Sequence, residues 1–345
     1  MSTRRDFIKS SIACSIGGIT PLADYKNSNL SFDLHAHPGR VFAMGSNDFG
    51  SPLSPDKAIK AMQDSELSGA FFALVADAKL IKLGMTGVSV TGKFKPGEGW
   101  AEYKGQLVYM KTFFQKFSIL QAIKGKDLKQ SKSLVAYISV EGGDFLEGQV
   151  EKVDESYADG VRSIQLVHYA PNDLGDLQTA DPVHHGLSAF GKSVIRRMNK
   201  LGSLIDVAHA SYKTCKDVVD ITNAPIMLSH SILQMEPDRP IAIRAISKDH
   251  ARLIASTGGI IGAWPSGFNK SFDEYVDNIL RLVDVVGIDH VGIGTDMDAN
   301  FKPVLDNYSL FPKLKESLRL KGASTNEVDK IMGKNAHRML KQALQ

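Results

Sequence analysis

Short apolar segments recur along the chain, and each is followed by a segment with helical periodicity. The run 69–76 (GAFFALVA) has no polar position, which is typical of a strand buried on both faces of a parallel sheet. Between such runs, apolar residues return every three or four positions, as they do on one face of a helix. We predict eight strands, at residues 30–35, 69–76, 134–140, 161–167, 203–207, 225–228, 258–264 and 290–293.

The intervening segments predict a helix after nearly every strand, and further helices close the chain. The predicted helices lie at 57–65, 100–123, 150–159, 188–201, 212–221, 247–256, 273–286, 310–321 and 324–330. Eight strand–helix units favour an α/β fold, a single-domain (β/α)8 TIM barrel with C-terminal closing helices. A doubly wound open sheet is the alternative, but no glycine-rich phosphate turn follows the first strand. Residues 83–100 are predicted to be an exposed loop.

Polar residues of the metal-binding type follow the apolar runs at six of the predicted strands. The first strand ends in His35 and His37, whose side chains share one face because successive strand residues alternate. In a parallel barrel, the chemistry lies at the C-terminal ends of the strands. We therefore expect one convergent site, built from His35, His37, Glu141, His168, His209, His230 and Asp296.

The net charge and the number of cysteines restrict the partners and the kinds of site that the protein can have. The 345 residues carry a formal net charge of +3, of which residues 1–23 supply three positive charges against one negative charge. The remainder is close to neutral and has no basic stripe, which argues against a nucleic-acid partner or an acidic membrane surface. The two cysteines, Cys14 and Cys215, predict neither an internal disulfide in a mature chain nor a cysteine metal site.

The N-terminus resembles a twin-arginine export signal. Arg4 and Arg5 precede a short, mildly apolar stretch, and Ala23 offers a cleavage position. We expect a signal at 1–23, a TIM-barrel domain with the candidate metal site at 24–345, and the twin-arginine machinery as a partner. The protein would then be periplasmic or otherwise exported, and an uncleaved leader would hold it at the membrane.

The order of the motifs resembles the membrane (renal) dipeptidase family, zinc metallopeptidases of the amidohydrolase superfamily. The resemblance covers roughly residues 30–342 and implies a (β/α)8 barrel. It is carried by Asp33-Leu34-His35-Ala36-His37-Pro38, Ser139-Val140-Glu141-Gly142-Gly143, Leu166-Val167-His168-Tyr169, Asp206-Val207-Ala208-His209, Ser229-His230-Ser231, Arg244-Ala245-Ile246-Ser247, Gly292-Ile293-Gly294-Thr295-Asp296-Met297-Asp298 and Gly333-Lys334-Asn335-Ala336-His337-Arg338.

The resemblance implies two zinc ions bridged by a glutamate and a water. His35 matches a ligand of the first zinc, Glu141 the bridging carboxylate, and His209 and His230 the ligands of the second. His37 is a departure, because the family pattern has Asp there. A neutral ligand in place of a carboxylate adds one unit of positive charge, which puts retention of the first metal in doubt.

The same resemblance implies roles in catalysis and substrate binding. Asp296 matches the general base, and His168 matches a histidine that polarises the scissile carbonyl. Arg244 matches the arginine that binds the substrate's C-terminal carboxylate, although Arg239 is close enough in the sequence to compete for this role.

The resulting hypothesis is an exported zinc dipeptidase in which a metal-bridging hydroxide attacks the peptide bond of a small dipeptide. One alternative is an amidohydrolase acting on another amide or lactam bond. The other is a non-catalytic binding protein on the same fold, for which His37 is the only support. The preferred dipeptide, its L/D selectivity, the native metal and a homodimer stay open.

Overall fold

The computed structural model describes residues 30–43, 54–84, 87–130, 133–235 and 242–345. The predicted export signal at 1–23 and the candidate Arg239 lie outside these ranges. Within them, no helix is both long enough and apolar enough to cross a membrane.

Eight parallel strands form a closed ring. They are β1 (Phe32–Ala36), β2 (Gly69–Val75), β3 (Val135–Glu141), β4 (Val161–Gln165), β5 (Leu204–Asp206), β6 (Met227–Leu233), β7 (Ile260–Ala263) and β8 (Val291–Ile293). Each strand pairs with the next, and β8 pairs with β1 through Ile293 and Asp33. The predicted (β/α)8 barrel is therefore confirmed, and the closed ring rules out the open sheet.

Helices surround the barrel. They are α1 (Pro55–Gln63), α2 (Glu98–Lys116), α3 (Asp127–Gln130), α4 (Glu151–Ala158), α5 (Ala189–Leu201), α6 (Tyr212–Ile221), α7 (Lys248–Ser256), α8 (Phe272–Val286), α9 (Phe311–Leu320), α10 (Thr325–Asp329) and α11 (Asn335–Ala343). A serine caps six of them by accepting an N–H of the first turn, which satisfies a donor that the helix leaves free. These serines are Ser54, Ser188, Ser211, Ser247, Ser271 and Ser324.

The C-terminal helix α11 closes one end of the barrel. A buried cluster joins Phe32, Phe71 and Tyr137 of the first three strands to Met339 and Leu340 of α11. The rings of Phe32 and Phe71 meet edge to face with centroids 5.7 Å apart, a favourable aromatic geometry. The candidate site residues lie towards the opposite ends of the strands.

Two predicted boundaries are wrong because pairing between strands overrides local periodicity. The helix predicted at 100–123 ends at Lys116, and Leu120–Gln121 instead forms a short strand beside β3. The strand predicted at 225–228 extends to Leu233, because Ala245–Ile246 pairs with its far end. His230 therefore lies inside β6 rather than after it.

The predicted exposed loop at 83–100 also contains regular structure. Ile81–Gly84 and Gly87–Val90 form an antiparallel hairpin, and α2 begins at Glu98. The side chains described between residues 87 and 98 are largely exposed, so the expectation of an excursion on the surface is confirmed.

Candidate active site

The seven predicted site residues converge around Glu141. Glu141 is the last residue of β3, His35 lies in β1 and His230 in β6, while the others follow β1, β4, β5 and β8 within one to three residues. All seven are buried, with exposures between 1% and 9%. Burying a charged group is costly unless the group has a partner, and these seven side chains are partners of one another.

The two oxygens of Glu141 face two separate pairs of histidines. Oε2 lies 3.5 Å from Nε2 of His35 and 3.2 Å from Nε2 of His37. Oε1 lies 3.4 Å from Nε2 of His209 and 3.8 Å from Nε2 of His230. Within each pair the Nε2 atoms face one another, at 3.0 Å and 3.1 Å. The site therefore contains two groups of potential metal ligands that share the Glu141 carboxylate. The first group contains His35 and His37, and the second contains His209 and His230.

Asp296 and His168 complete the two groups. Oδ1 of Asp296 lies 3.3 Å from Nε2 of His37, and Nε2 of His168 lies 3.5 Å from Oε1 of Glu141. Asp296 and His209 both adopt a left-handed backbone, with φ of 55° and 65°. Non-glycine residues seldom adopt this conformation, and it is concentrated at functional sites.

Contacts at Nδ1 orient several of the rings. Nδ1 of His37 lies 3.2 Å from the carbonyl oxygen of Ala73, which only accepts, so this nitrogen carries a hydrogen. Nδ1 of His230 and of His35 lie 3.1 Å and 3.4 Å from Oγ of Ser229. A histidine held at Nδ1 in this way presents the Nε2 lone pair to a metal ion.

Three of these side chains are in the protonation state that binds metal. Burial alone would raise the pKa of Glu141, but His168 and His35 hold it well below its usual range. Burial lowers the pKa of both His209 and His230 well below the usual value. At neutral pH the carboxylate is therefore charged and the two imidazoles are neutral, which are the ligating forms.

His37 behaves differently. Burial lowers its pKa, but hydrogen bonds and charge from Asp296 and Glu141 outweigh that effect and raise the pKa to about 10. Without a metal, His37 is consequently protonated at neutral pH. It must release this proton before it can act as a ligand.

The donor atoms fit metal ions. Among the residues that the structure describes, three groups bring their ligand atoms within 4.8 Å of one another, and each combines imidazole nitrogens with a carboxylate. Imidazole and carboxylate together suit zinc and related ions. The groups are His35–His37–Asp296, His35–Glu141–His230 and Glu141–His168–His209.

Arg244 lies against the second pair of histidines. It is 3% exposed, and its Nη1 donates to Oε1 of Gln178 at 2.9 Å. Its Nη2 lies 2.9 Å from Nε2 of His209 and 3.4 Å from Nε2 of His230. The guanidinium thus reaches the candidate site, where it contacts the ring nitrogens that a metal ion would use.

Two buried donors beside this guanidinium lack partners. Nε of Arg244 and Nε1 of Trp264 have no hydrogen-bond partner among the described residues. The centre of the guanidinium lies 5.6 Å from the centroid of the Trp264 ring. Because buried donors are normally paired, the two are candidates to bind an acceptor on a ligand.

Sequence reasoning missed Asp77, which holds His168. Oδ1 of Asp77 lies 2.7 Å from Nδ1 of His168, and Oδ2 accepts the N–H groups of Tyr169 and Ala170. Burial alone would lower the pKa of His168, but Asp77 and Glu141 raise it. Asp77 follows the apolar run 69–76, so the rule that found the other residues also applied to it.

Gln165 was also missed, and no sequence pattern would have found it. Its Nε2 donates to Oε1 of Glu141 at 3.2 Å and to the carbonyl oxygen of Val167 at 3.0 Å. It lies within the predicted strand 161–167 and carries no charge, so nothing in the sequence separates it from a packing residue.

Fold and site together define a class: a (β/α)8 barrel with a carboxylate-centred histidine cluster of the metal-binding type at the C-terminal ends of its strands. The chain belongs to the membrane dipeptidase family, peptidase family M19, whose model matches residues 97–345. This finding confirms the resemblance drawn from the motifs.

Individual relatives agree with this assignment. The chain is 34% identical over 195 residues to dipeptidase tcpJ of Claviceps purpurea, covering 53% of this chain and 45% of tcpJ. It is 29% identical over 219 residues to dipeptidase verJ of Clonostachys rogersoniana, covering 61% of this chain and 56% of verJ. The chain spans about half the length of these curated relatives.

A solved structure supports the fold. A metallopeptidase from Rhodobacter sphaeroides, crystallised with a phosphinate mimic of the dipeptide L-Ala-D-Ala, matches with a TM-score of 0.75. The match covers 91% of this chain and 99% of that one at 17% sequence identity.

Proposed function

We propose that this chain is a metal-dependent dipeptidase that hydrolyses the peptide bond of small dipeptides. The observation that carries the proposal is Glu141, whose two oxygens each face a pair of histidine Nε2 atoms within 3.8 Å. Membership of the family and the dipeptidases among its relatives support this activity. The dipeptide mimic bound by the Rhodobacter sphaeroides protein supports the substrate class.

The proposed cofactor is a pair of zinc ions. His35 and His37, with Oε2 of Glu141, would hold one ion, and His209 and His230, with Oε1, would hold the other. A carboxylate suits the shared position because it offers one oxygen to each side. When bound, such a pair supplies Lewis acidity and a hydrolytic water that ionises near neutral pH.

Two side chains are proposed to act on the substrate. Asp296 would accept the proton of the attacking water and return it to the leaving amine, as a general base and then a general acid. His168 would donate from Nε2 to the carbonyl oxygen, which gains negative charge in the transition state. Asp77 holds the opposite side of that ring, at Nδ1, and so directs Nε2 into the site.

Arg244 is proposed to bind the C-terminal carboxylate of the dipeptide. Its planar guanidinium can donate two parallel hydrogen bonds to a carboxylate, and its Nε is a buried donor that needs an acceptor. Nη2 lies on the Nε2 lone pairs of His209 and His230, the atoms that would hold a metal ion. With those lone pairs engaged in ligation, Nη2 would also be available to donate to the substrate carboxylate.

We further propose export through the twin-arginine machinery and a periplasmic location. Support comes only from the Arg4–Arg5 pair and the short apolar stretch that follows it. Such export carries folded proteins, which suits an enzyme loaded with metal before translocation.

Binding of the substrate's C-terminal carboxylate by Arg244 is the part of the proposal that separates a dipeptidase from another amidohydrolase. We expect Arg244→Gln to raise the KM of a dipeptide by roughly 100-fold, the loss expected for one partner of a buried charged contact. The matched dipeptide amide, which lacks the carboxylate, should show little change. Zinc content per chain must be equal in both proteins, because Nη2 also contacts His209 and His230.

Two outcomes would contradict this account. Equal hydrolysis of the dipeptide and its amide by the unaltered protein would indicate a different amide substrate. Binding of dipeptides without hydrolysis, by protein fully loaded with zinc, would indicate the non-catalytic binding protein.

A further inference from the structure

Three aromatic side chains form a row from the candidate site to the protein surface. The ring centroids of His230 and Trp264 lie 5.8 Å apart, those of Trp264 and Phe268 5.8 Å, and those of Phe268 and Phe301 6.0 Å. Trp264 is 6% exposed, Phe268 is half-buried and Phe301 is 56% exposed. We call Trp264, Phe268 and Phe301 the aromatic wall; its outer end is a large apolar side chain in contact with water.

Hydrogen bonds fix the loops that carry the wall. The N–H of Gly267 donates to the carbonyl oxygen of Phe301 at 2.8 Å, which joins the loops after β7 and β8. Nδ2 of Asn269 donates to the carbonyl oxygen of Trp264 at 3.2 Å, and Nδ2 of Asn278 donates to Oδ1 of Asn269 at 2.7 Å. A wall held in this way loses little conformational entropy when a ligand packs against it.

Arg244 indicates which part of a substrate meets the wall. Its guanidinium lies 5.6 Å from the centroid of Trp264, and the buried donors Arg244 Nε and Trp264 Nε1 both lack partners among the described residues. A carboxylate bound there lies at the inner end of the wall. The side chain on the neighbouring carbon belongs to the same C-terminal residue, and it would extend along the wall, whose outer member Phe301 is 56% exposed.

We propose that the aromatic wall selects dipeptides whose C-terminal residue has an aromatic or large aliphatic side chain. The inference rests on the proposed dipeptidase function and names the substrate class of that same site. Such a side chain would cover Phe301 and remove apolar surface from water. A basic side chain would lose hydration and meet the positive charge of Lys302, whose Nζ lies 5.3 Å from the Phe301 ring.

The test measures kcat/KM of the zinc-loaded full chain for Ala-Phe, Ala-Leu, Ala-Ala, Ala-Lys and Phe-Ala. We expect Ala-Phe and Ala-Leu to exceed Ala-Ala by about tenfold, and Ala-Lys to fall below it. Phe301→Ala should reduce the ratio of Ala-Phe to Ala-Ala about fivefold, whereas Phe301→Leu should retain most of it. Tyr109→Ala, which removes a 44% exposed aromatic on α2, is the matched control and should leave the ratio unchanged.

The outcomes separate the inference from the function on which it rests. Cleavage of all the dipeptides with a ratio near one, or a ratio unchanged in Phe301→Ala, overturns the inference and leaves the dipeptidase proposal intact. A preference for Phe-Ala that disappears in Phe301→Ala overturns the placement of the C-terminal residue. Failure of the loaded protein to cleave any of them overturns both. Thermal unfolding midpoints confirm that each variant is folded.

Discussion

His37 belongs to the proposed first ligand group and stands where the resemblance to the family implies Asp. Its ring turns into the site, with Nε2 3.0 Å from Nε2 of His35 and 3.2 Å from Oε2 of Glu141. Since a neutral imidazole replaces a carboxylate, the first group holds one negative charge fewer. We therefore expect the metal in this group to be released before the metal held by His209 and His230.

Metal uptake by the first group should release about one proton at pH 8. His37 has a pKa of about 10 without metal, because Asp296 and Glu141 outweigh burial, so it is protonated at pH 8 and must lose that proton to ligate. Below this pKa, affinity should fall by up to about tenfold for each unit of decreasing pH. Titration calorimetry in two buffers of different protonation enthalpy measures the proton. His37→Asp should release fewer protons and retain metal better against a chelator; equal release by both proteins would count against His37 as a ligand.

Asp77→Asn should lower kcat by roughly 10- to 100-fold and change KM little. The substitution keeps the size of the side chain but weakens the contact of 2.7 Å that directs His168, and partners of this kind typically contribute that much. Asp176→Asn is a matched control, because Asp176 is a buried carboxylate that accepts N–H groups of Val183, His184 and Gly186. Similar kcat losses in both variants would assign Asp77 a structural role only.

At this scale the sequence identified residues by type and position but not by partner. His35, Glu141 and Asp296 stand beside apolar runs and carry donor atoms, so they could be predicted. The direction of the Arg244 guanidinium could not be predicted, because it depends on contacts with Gln178, His209 and His230. The two histidines lie 35 and 14 residues away in the sequence.

At the scale of elements, close strand packing positions His230. A Cβ at Gly262 would lie 1.7 Å, and one at Gly294 1.8 Å, from the carbonyl oxygen of Ser229. Ser229 precedes His230 in β6, and its N–H donates to Oδ1 of Asp206 at 3.0 Å. The absence of side chains at the two glycines lets the strand ends approach closely enough to bring His230 to Glu141.

Gly294→Ala should therefore destabilise the fold by about 3 kcal/mol or more, the upper range for overpacking of a core. The new methyl group meets backbone, which cannot turn aside. Gly292→Ala is the matched control, because its closest neighbours, at 2.9 Å, are the methyl ends of Ile260 and Leu34. It should cost about 1 kcal/mol. Denaturant unfolding measures both; equal losses would contradict the backbone contact.

Strands and helices could be predicted where the hydrophobic pattern is uniform over the whole segment, as a continuous apolar run or as a repeat of 3.6 residues. The run 69–76 and the amphipathic segments gave β2 and most of the helices. The C-terminal ends of α2 and β6 could not be predicted in this way. They depend on the pairing of Leu120–Gln121 with β3 and of Ala245–Ile246 with β6. Such pairing joins segments distant in sequence and leaves no local pattern.

For the whole molecule, alternation of eight strands and helices predicted both the barrel and the place of its site. A closed parallel barrel gathers the C-terminal ends of its strands at one mouth, so residues far apart in sequence had to meet. His35 and Asp296 illustrate this: they are separated by most of the chain, yet the N–H of Asp296 donates to the carbonyl oxygen of His35 at 2.8 Å. The number of metal ions does not follow from fold geometry alone.

The measurement that tests the central claim most directly is dipeptide hydrolysis during stepwise return of zinc to protein stripped by a chelator. The two donor groups sharing Glu141 predict no hydrolysis without metal and a rate that rises until two zinc ions are bound per chain. Elemental analysis at each step counts the ions. Hydrolysis that survives complete removal of metal, or its absence with two zinc ions bound, would contradict the account.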